Sequence, residues 1–180
     1  MAPHIALYEV GAPFESRPLS WSRREQEAPA FRAINPEGKV PTLLIDDRPL
    51  TEVAAILFYL ARTYAGAGLL PDDAEAEAQV ISWMSFAAAT LHPARQKGVD
   101  HAMSVWRIAE QRLAERDWAV GSYSIADIHL FRLYWRIRGS LQFAPGTFPA
   151  LDSHYDRMMA RPAVARTIAT EAAIGYELPP

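Results

Sequence analysis

The chain has 180 residues, half of them hydrophobic and 22% charged, which is enough apolar mass to bury a core in one domain or two small ones. A net charge of −3 gives no electrostatic footprint for nucleic acid, and Arg23-Arg24 is too short to count as a basic tract. The absence of cysteine excludes disulfides, zinc–thiolate sites and a cysteine nucleophile, and the apolar runs are too short to span a bilayer.

Met1-Ala2-Pro3-His4 has neither a basic leader nor an apolar h-region, so the expectation is a soluble cytoplasmic protein with no nucleic-acid or membrane partner. Pro3 to Val10 has helical composition, with Gly11 as its stop. Phe14 to Trp21 contains Pro18, which confines any strand there to an edge or an irregular one. Arg24 to Ala33 reads as a short, weakly specified helix closed by the turn Asn35-Pro36-Glu37-Gly38. Thr42 to Ile45 is an apolar strand beginning with a β-branched residue. Asp46-Asp47-Arg48-Pro49 then turns the chain towards a second short strand around Leu50.

From Glu52 to Tyr64 the period changes. Val53, Ile56, Leu57 and Leu60 recur at spacings of three and four, the signature of an amphipathic helix. Gly66-Ala67-Gly68 and Pro71-Asp72-Asp73 form a linker, and everything after it reads as helical. Helices are expected at Asp73–Leu91, Asp100–Arg116, Ile125–Arg138, Pro149–Ala160 and Pro162–Ala173. Both prolines suit a first helical turn, where a missing N–H costs nothing. Ser124-Ile125-Ala126-Asp127 is a capping box, with Tyr123 and Ile128 placed for a hydrophobic staple. Its aspartate spends its lone pairs on the cap. The domain division expected is 1–65, a linker at 66–74, and 75–180.

Taken in order, several short stretches resemble the cytosolic glutathione S-transferase family, and most closely its bacterial beta-type branch. They are Ala2-Pro3-His4-Ile5-Ala6-Leu7, Asn35-Pro36-Glu37-Gly38-Lys39-Val40-Pro41, Leu50-Thr51-Glu52, Leu91-His92-Pro93-Ala94, Ser124–Asp127 and Arg161-Pro162-Ala163-Val164. The resemblance implies an α/β thioredoxin-like N-terminal domain and an all-α helical-bundle C-terminal domain, assembled as a homodimer. It implies glutathione as cosubstrate and a small hydrophobic electrophile as partner. Pro41 stands where the family has a cis-proline that presents the Val40 backbone to the cysteinyl part of glutathione. Lys39 is placed for the glycyl carboxylate, and Glu52 for the γ-glutamyl ammonium.

Two departures follow from the same resemblance. Val53 occupies a position where the family has Ser or Thr, whose hydroxyl binds the γ-glutamyl carboxylate. Losing a hydrogen bond to a charged group costs ~1.5–3 kcal/mol, or roughly 10- to 150-fold in affinity. The N-terminus of the following helix still offers N–H groups to an anion. The second departure is that the family's first strand and loop, about ten residues, are expected to be missing, so the thioredoxin-like domain would be incomplete. That segment carries the Tyr, Ser or Cys acting on the thiol. A thiol of pKa ~8.5 is about 3% ionised at pH 7, so full activation raises the nucleophile only ~30-fold.

His92 is the candidate replacement, because a neutral imidazole can accept a thiol proton; the alternative is a buried or capping histidine beside Pro93. Tyr8 reads as core, and Ser16, Ser20 and Ser22 have no motif behind them. The five histidines show no metal spacing, so no metal is expected. Trp83, Phe86, Trp106, Trp118, Tyr134 and Trp135 either fill the core or line a substrate cleft. His129, Arg132 and Arg136 form a polar stripe expected to be solvated or ion-paired. Two functions stay open: a glutathione-dependent transferase, and a catalytically silent relative serving as an interaction or small-molecule-binding module.

Overall fold

Ala2–Glu9 forms helix α1, whose apolar side is closed off on several faces at once. It packs against α3 (Val53–Thr63), α6 (Ile125–Ser140) and α8 (Pro162–Ala173), which leaves Ile5 and Ala6 with no exposed surface. The computed structural model describes residues 1–141 and 143–177. Gln142 and residues 178–180, the end of the expected helical domain, lie outside the described residues.

Residues 12–20 make no strand ladder, against the expected edge strand at Phe14–Trp21. Side chains hold this segment instead: Phe14 stacks on His4 at 5.4 Å and meets Tyr8 edge-on at 5.1 Å. The helix expected over Arg24–Ala33 is also shorter, a 3-10 turn at Glu25–Glu27 and a single turn α2 at Pro29–Arg32. Pro29 explains the break. It starts a helix well but cannot donate to the preceding turn.

Strands β1 (Thr42–Ile45) and β2 (Arg48–Thr51) form an antiparallel pair, the only sheet among the described residues, in the register Thr42↔Thr51 and Ile45↔Arg48. Asp46 and Asp47 have φ of 49° and 63°, the two-residue turn that matches strand twist and that Asp tolerates. Pro49 lies opposite Leu44 within β2, so the sequence turn is two residues shorter than expected.

Helix α3 buries Ile56, Leu57 and Leu60, each worth roughly 1.5–3 kcal/mol of transfer free energy. Its neighbours β2 and α6 tie the small sheet to the helical part. That part contains α4 (Ala74–Phe86), α5 (Val99–Leu113), α6, α7 (Pro149–Met159) and α8. Between α4 and α5 the chain continues through a π-helical stretch, Ala87–Leu91, and a 3-10 stretch, His92–Lys97. One contiguous core runs through both parts, from Ile5 and Leu57 to Trp106, Ile128 and Val164.

The capping box before α6 forms as read. The Ser124 N–H donates to Asp127 Oδ2 at 2.9 Å, and Ser124 Oγ accepts from the Ala126 N–H at 3.3 Å. Asp127, fully buried, does more than cap. Its Oδ1 also accepts from the Ala119 N–H at 2.8 Å and from His154 Nε2 at 3.0 Å, which joins the loop before α6 to α7. No helix among the described residues is long and apolar enough to cross a membrane.

Candidate functional site

The turn that precedes β1 is built by a buried asparagine. Asn35, 2% exposed, accepts from the Glu37 N–H at 3.1 Å and donates Nδ2 to the Lys39 carbonyl at 2.8 Å. Gly38 follows with φ +64°, and a Cβ there would come 2.9 Å from the Gln26 carbonyl oxygen, so only glycine fits. These two residues deliver Lys39-Val40-Pro41 at the edge of the sheet, and the Val40–Pro41 peptide bond is cis. The Val40 N–H and C=O make no hydrogen bond to any described residue. They form a short stretch of open strand edge beside β1.

Glu52 closes the other end of this edge. It is exposed and stands at the N-cap of α3 with φ 67° and ψ 124°, a combination that side chains disfavour. Such strain persists where surrounding structure imposes it and clusters at functional positions. Its carboxylate makes no capping hydrogen bond to α3. Lys39 is exposed and paired with Glu37 at 2.9 Å; that contact, and to a lesser degree Glu52, raises its pKa. Val53 is half-buried at the first position of α3 and brings no hydroxyl.

His92 approaches from the helical part. Its side chain keeps access to solvent, yet the protein wall beside it removes enough water to lower its pKa. The positive charges of Arg132 and Arg136 push the same way, and the negative charge of Glu52 opposes them. His92 is therefore a neutral imidazole at pH 7. The charge of Glu52 is felt at both Lys39 and His92.

The polar stripe on α6 differs from its expectation. His129 is neither solvated nor ion-paired: it is 4% exposed, its Nδ1 has no partner, and burial, Arg132 and His92 push its pKa down to about 3. Arg132 and Arg136 are half-buried on α6, which packs against Ala87–Leu91, and their charges are felt at His92. The helical period alone puts 129, 132 and 136 in one stripe, but not which end of it is buried.

The other sequence candidates are engaged elsewhere. The Tyr8 hydroxyl bonds Thr170 at 2.7 Å, and Ser16 bonds His4 Nε2 at 3.2 Å. Ser20 and Ser22 both donate to Glu177. Of the aromatics, Trp83, Trp106 and Tyr134 belong to the core, and Trp83 and Phe86 lie beneath the Arg112 guanidinium at 4.3 and 4.6 Å. Trp118 meets Tyr123 and His154 edge-on. Asn35 and the strained backbone of Glu52 are the features that sequence reading missed. The Asn-Pro-Glu-Gly turn was a signal for the first; nothing local signals the second.

Residues 1–62 match the family model of the glutathione S-transferase N-terminal domain, and residues 69–162 that of the C-terminal domain. Glutathione S-transferase 1 of Schizosaccharomyces pombe is 30% identical, with 90% of this chain and 87% of that protein covered. GstA of Escherichia coli O157:H7 is 29% identical over 95% of this chain and 93% of its own. Among solved structures, a Sulfitobacter glutathione transferase homolog with bound glutathione superposes with a TM-score of 0.85 at 29% identity, covering 94% and 91% of the two chains. A sphingomonad glutathione S-transferase complexed with glutathione gives 0.81 at 30% identity, covering 95% and 93%.

Proposed function

We propose that this chain, which belongs to the glutathione S-transferase family, is a glutathione-dependent transferase whose peptide site is the edge around Val40. Its thioredoxin-like N-terminal part and helical C-terminal part are those of the family. Solved relatives that carry glutathione make that tripeptide the first candidate ligand. The observation that carries the reading is the unpaired Val40 backbone beside Pro41, flanked by Lys39 and Glu52. An open strand edge pairs with an extended peptide, and side-chain groups at its ends select which one.

In this reading Val40 supplies the main-chain donor and acceptor. Glu52 receives an ammonium group, and the first N–H groups of α3 receive the adjacent carboxylate. Val53 makes that last contact weaker than a hydroxyl would. Lys39 exchanges its exposed pairing with Glu37, worth little in water, for the second carboxylate. Bound glutathione would supply a thiol nucleophile. His92, neutral at pH 7, accepts the thiol proton as the sulfur bonds to the carbon of an electrophile, whose leaving group departs with its bonding electron pair.

Thermal unfolding with and without millimolar glutathione tests the assignment. Ligand at ~100 times its dissociation constant stabilises the fold by ~2.7 kcal/mol, an increase in Tm of roughly 5–11 °C for a chain of this size. An unchanged Tm leaves the catalytically silent relative as the better description. Where a shift is seen, His92→Ala is expected to lower turnover while keeping the shift.

A further inference from the structure

A serine, a histidine and a glutamate from separate parts of the chain meet in a row beside α1. Ser16 Oγ lies 3.2 Å from His4 Nε2, and His4 Nδ1 lies 2.7 Å from Glu171 Oε1. His4 stands in the first turn of α1, Glu171 in the last turn of α8, and Ser16 on the irregular segment 12–20. Helix α1 packs along α8, and the Tyr8 hydroxyl ties it to Thr170, the neighbour of Glu171. Phe14 stacks on the His4 ring at 5.4 Å and braces the imidazole from one side.

The direction of the hydrogen bonds follows from the charge on Glu171, which is 6% exposed. Burial pushes its pKa up, but the contacts with His4 and the Met1 amino group outweigh burial and hold it below the ordinary value. The amino group shares Oε1 with His4 and leaves the His4 contact in place. A carboxylate only accepts, so His4 Nδ1 donates to it and Nε2 keeps a lone pair for the Ser16 hydroxyl. Nucleophile, base and orienting carboxylate in this sequence, at these distances, are what activates a serine. The group is also within reach of a substrate: Ser16 is half-buried and the His4 side chain is 20% exposed. The N–H groups of Ser16 and Arg17 make no hydrogen bond to a described residue, which leaves them available to a developing oxyanion.

We propose that Ser16, His4 and Glu171 form a hydrolytic triad that cleaves carboxylic esters of a short apolar acyl group, with Phe14 as its apolar neighbour. The activity needs no glutathione and shares no residue with the site around Val40, Lys39, Glu52 and His92. His4 Nε2 takes the Ser16 proton as Oγ bonds to the ester carbonyl carbon, and the carbonyl electron pair moves onto its oxygen. That pair returns as the bond to the alcohol oxygen breaks, and the leaving alkoxide takes the proton from His4. Water then attacks the acyl-serine and gives its proton to His4. Ser16 departs with its bonding pair, recovers that proton, and the carboxylic acid is released. Glu171 touches no reacting atom. It is a positioning residue that orients the ring and stabilises its charged form.

The test follows para-nitrophenolate release from para-nitrophenyl acetate by the full chain without glutathione, and maps the adduct of an alkyl fluorophosphonate by mass spectrometry. The wild type is expected to turn the ester over and to carry the phosphonyl group on Ser16. Ser16→Ala and His4→Ala are each expected to lower kcat/KM by about 100-fold or more. Glu171→Gln is expected to lower kcat and leave KM unchanged, a split that a merely structural contact would not produce. If a substituted chain fails to fold, the adduct decides, because it is read on the wild type. Turnover no faster than that of Ser16→Ala overturns the proposal, as does an adduct on another residue or none. Release that needs added glutathione and survives Ser16→Ala is thiol transfer; it overturns the triad and leaves the transferase reading intact.

Discussion

Glu52 joins backbone strain to a proposed ligand contact, and two substitutions separate them. Glu52→Ala and Glu52→Gly both delete the carboxylate, and they differ from each other only by a Cβ. At φ 67° and ψ 124° that Cβ is held where side chains seldom sit, at a cost of about 1–3 kcal/mol. Glycine escapes this cost but returns roughly 0.5–1 kcal/mol through the greater freedom of its unfolded chain. The glycine variant should therefore be the more stable of the two, by up to about 2.5 kcal/mol. This reverses the usual order of the two residues in ordinary backbone. In calorimetry the difference corresponds to up to about 10 °C in Tm. Both variants should lose most of the glutathione-induced rise seen in the wild type. Should the alanine variant prove the more stable, Glu52 is unstrained and the argument for an imposed geometry fails. If glutathione still shifts both variants as it does the wild type, the carboxylate is not a ligand contact.

Two further outcomes concern buried groups. Asp127→Ala removes an acceptor serving the Ala119 and Ser124 N–H groups and His154, all in the interior, and should cost about 3–5 kcal/mol, or roughly 6–20 °C in Tm. A loss of under about 3 °C would show that water or rearrangement satisfies these donors. His129 is neutral when folded, with its pKa pushed down to about 3, but ionises near 6.5 once unfolded. The unfolded state therefore binds more protons between these values, and stability falls as pH drops below ~6.5, by up to ~1.4 kcal/mol per unit. His129→Asn should remove that component, so its stability curve between about pH 6 and about pH 4 should be flatter than the wild type's; parallel curves would contradict the assignment.

Local chemistry made much of the architecture legible. The strand Thr42–Ile45, the helix from Pro162 and the Ser124–Asp127 cap come out as read because each is specified by neighbours in the chain: side-chain period, proline position, and a hydroxyl three residues before a carboxylate. The turn before Val40 was visible for the same reason. The failures came where local signals were weak or opposed. Phe14–Trp21 had no ladder partner to make it a strand, and rings from α1 hold it instead. The stripe of His129, Arg132 and Arg136 was correctly grouped by helical period, but its two ends met different surroundings, one sealed in the core and the other half-buried.

Sequence alone determined the long helices, the strand Thr42–Ile45, their order and the turn that carries Val40, since hydrogen bonds and steric limits over a few residues decide those. Only the tertiary structure decided which polar groups face each other. Glu52, Lys39 and His92 come from three separate elements, and α3, α6 and the stretch after α4 must pack before one charge can act on another. Electrostatic interaction depends on distance through space and on how much water is left between the groups, and neither quantity is written in the order of residues along a chain.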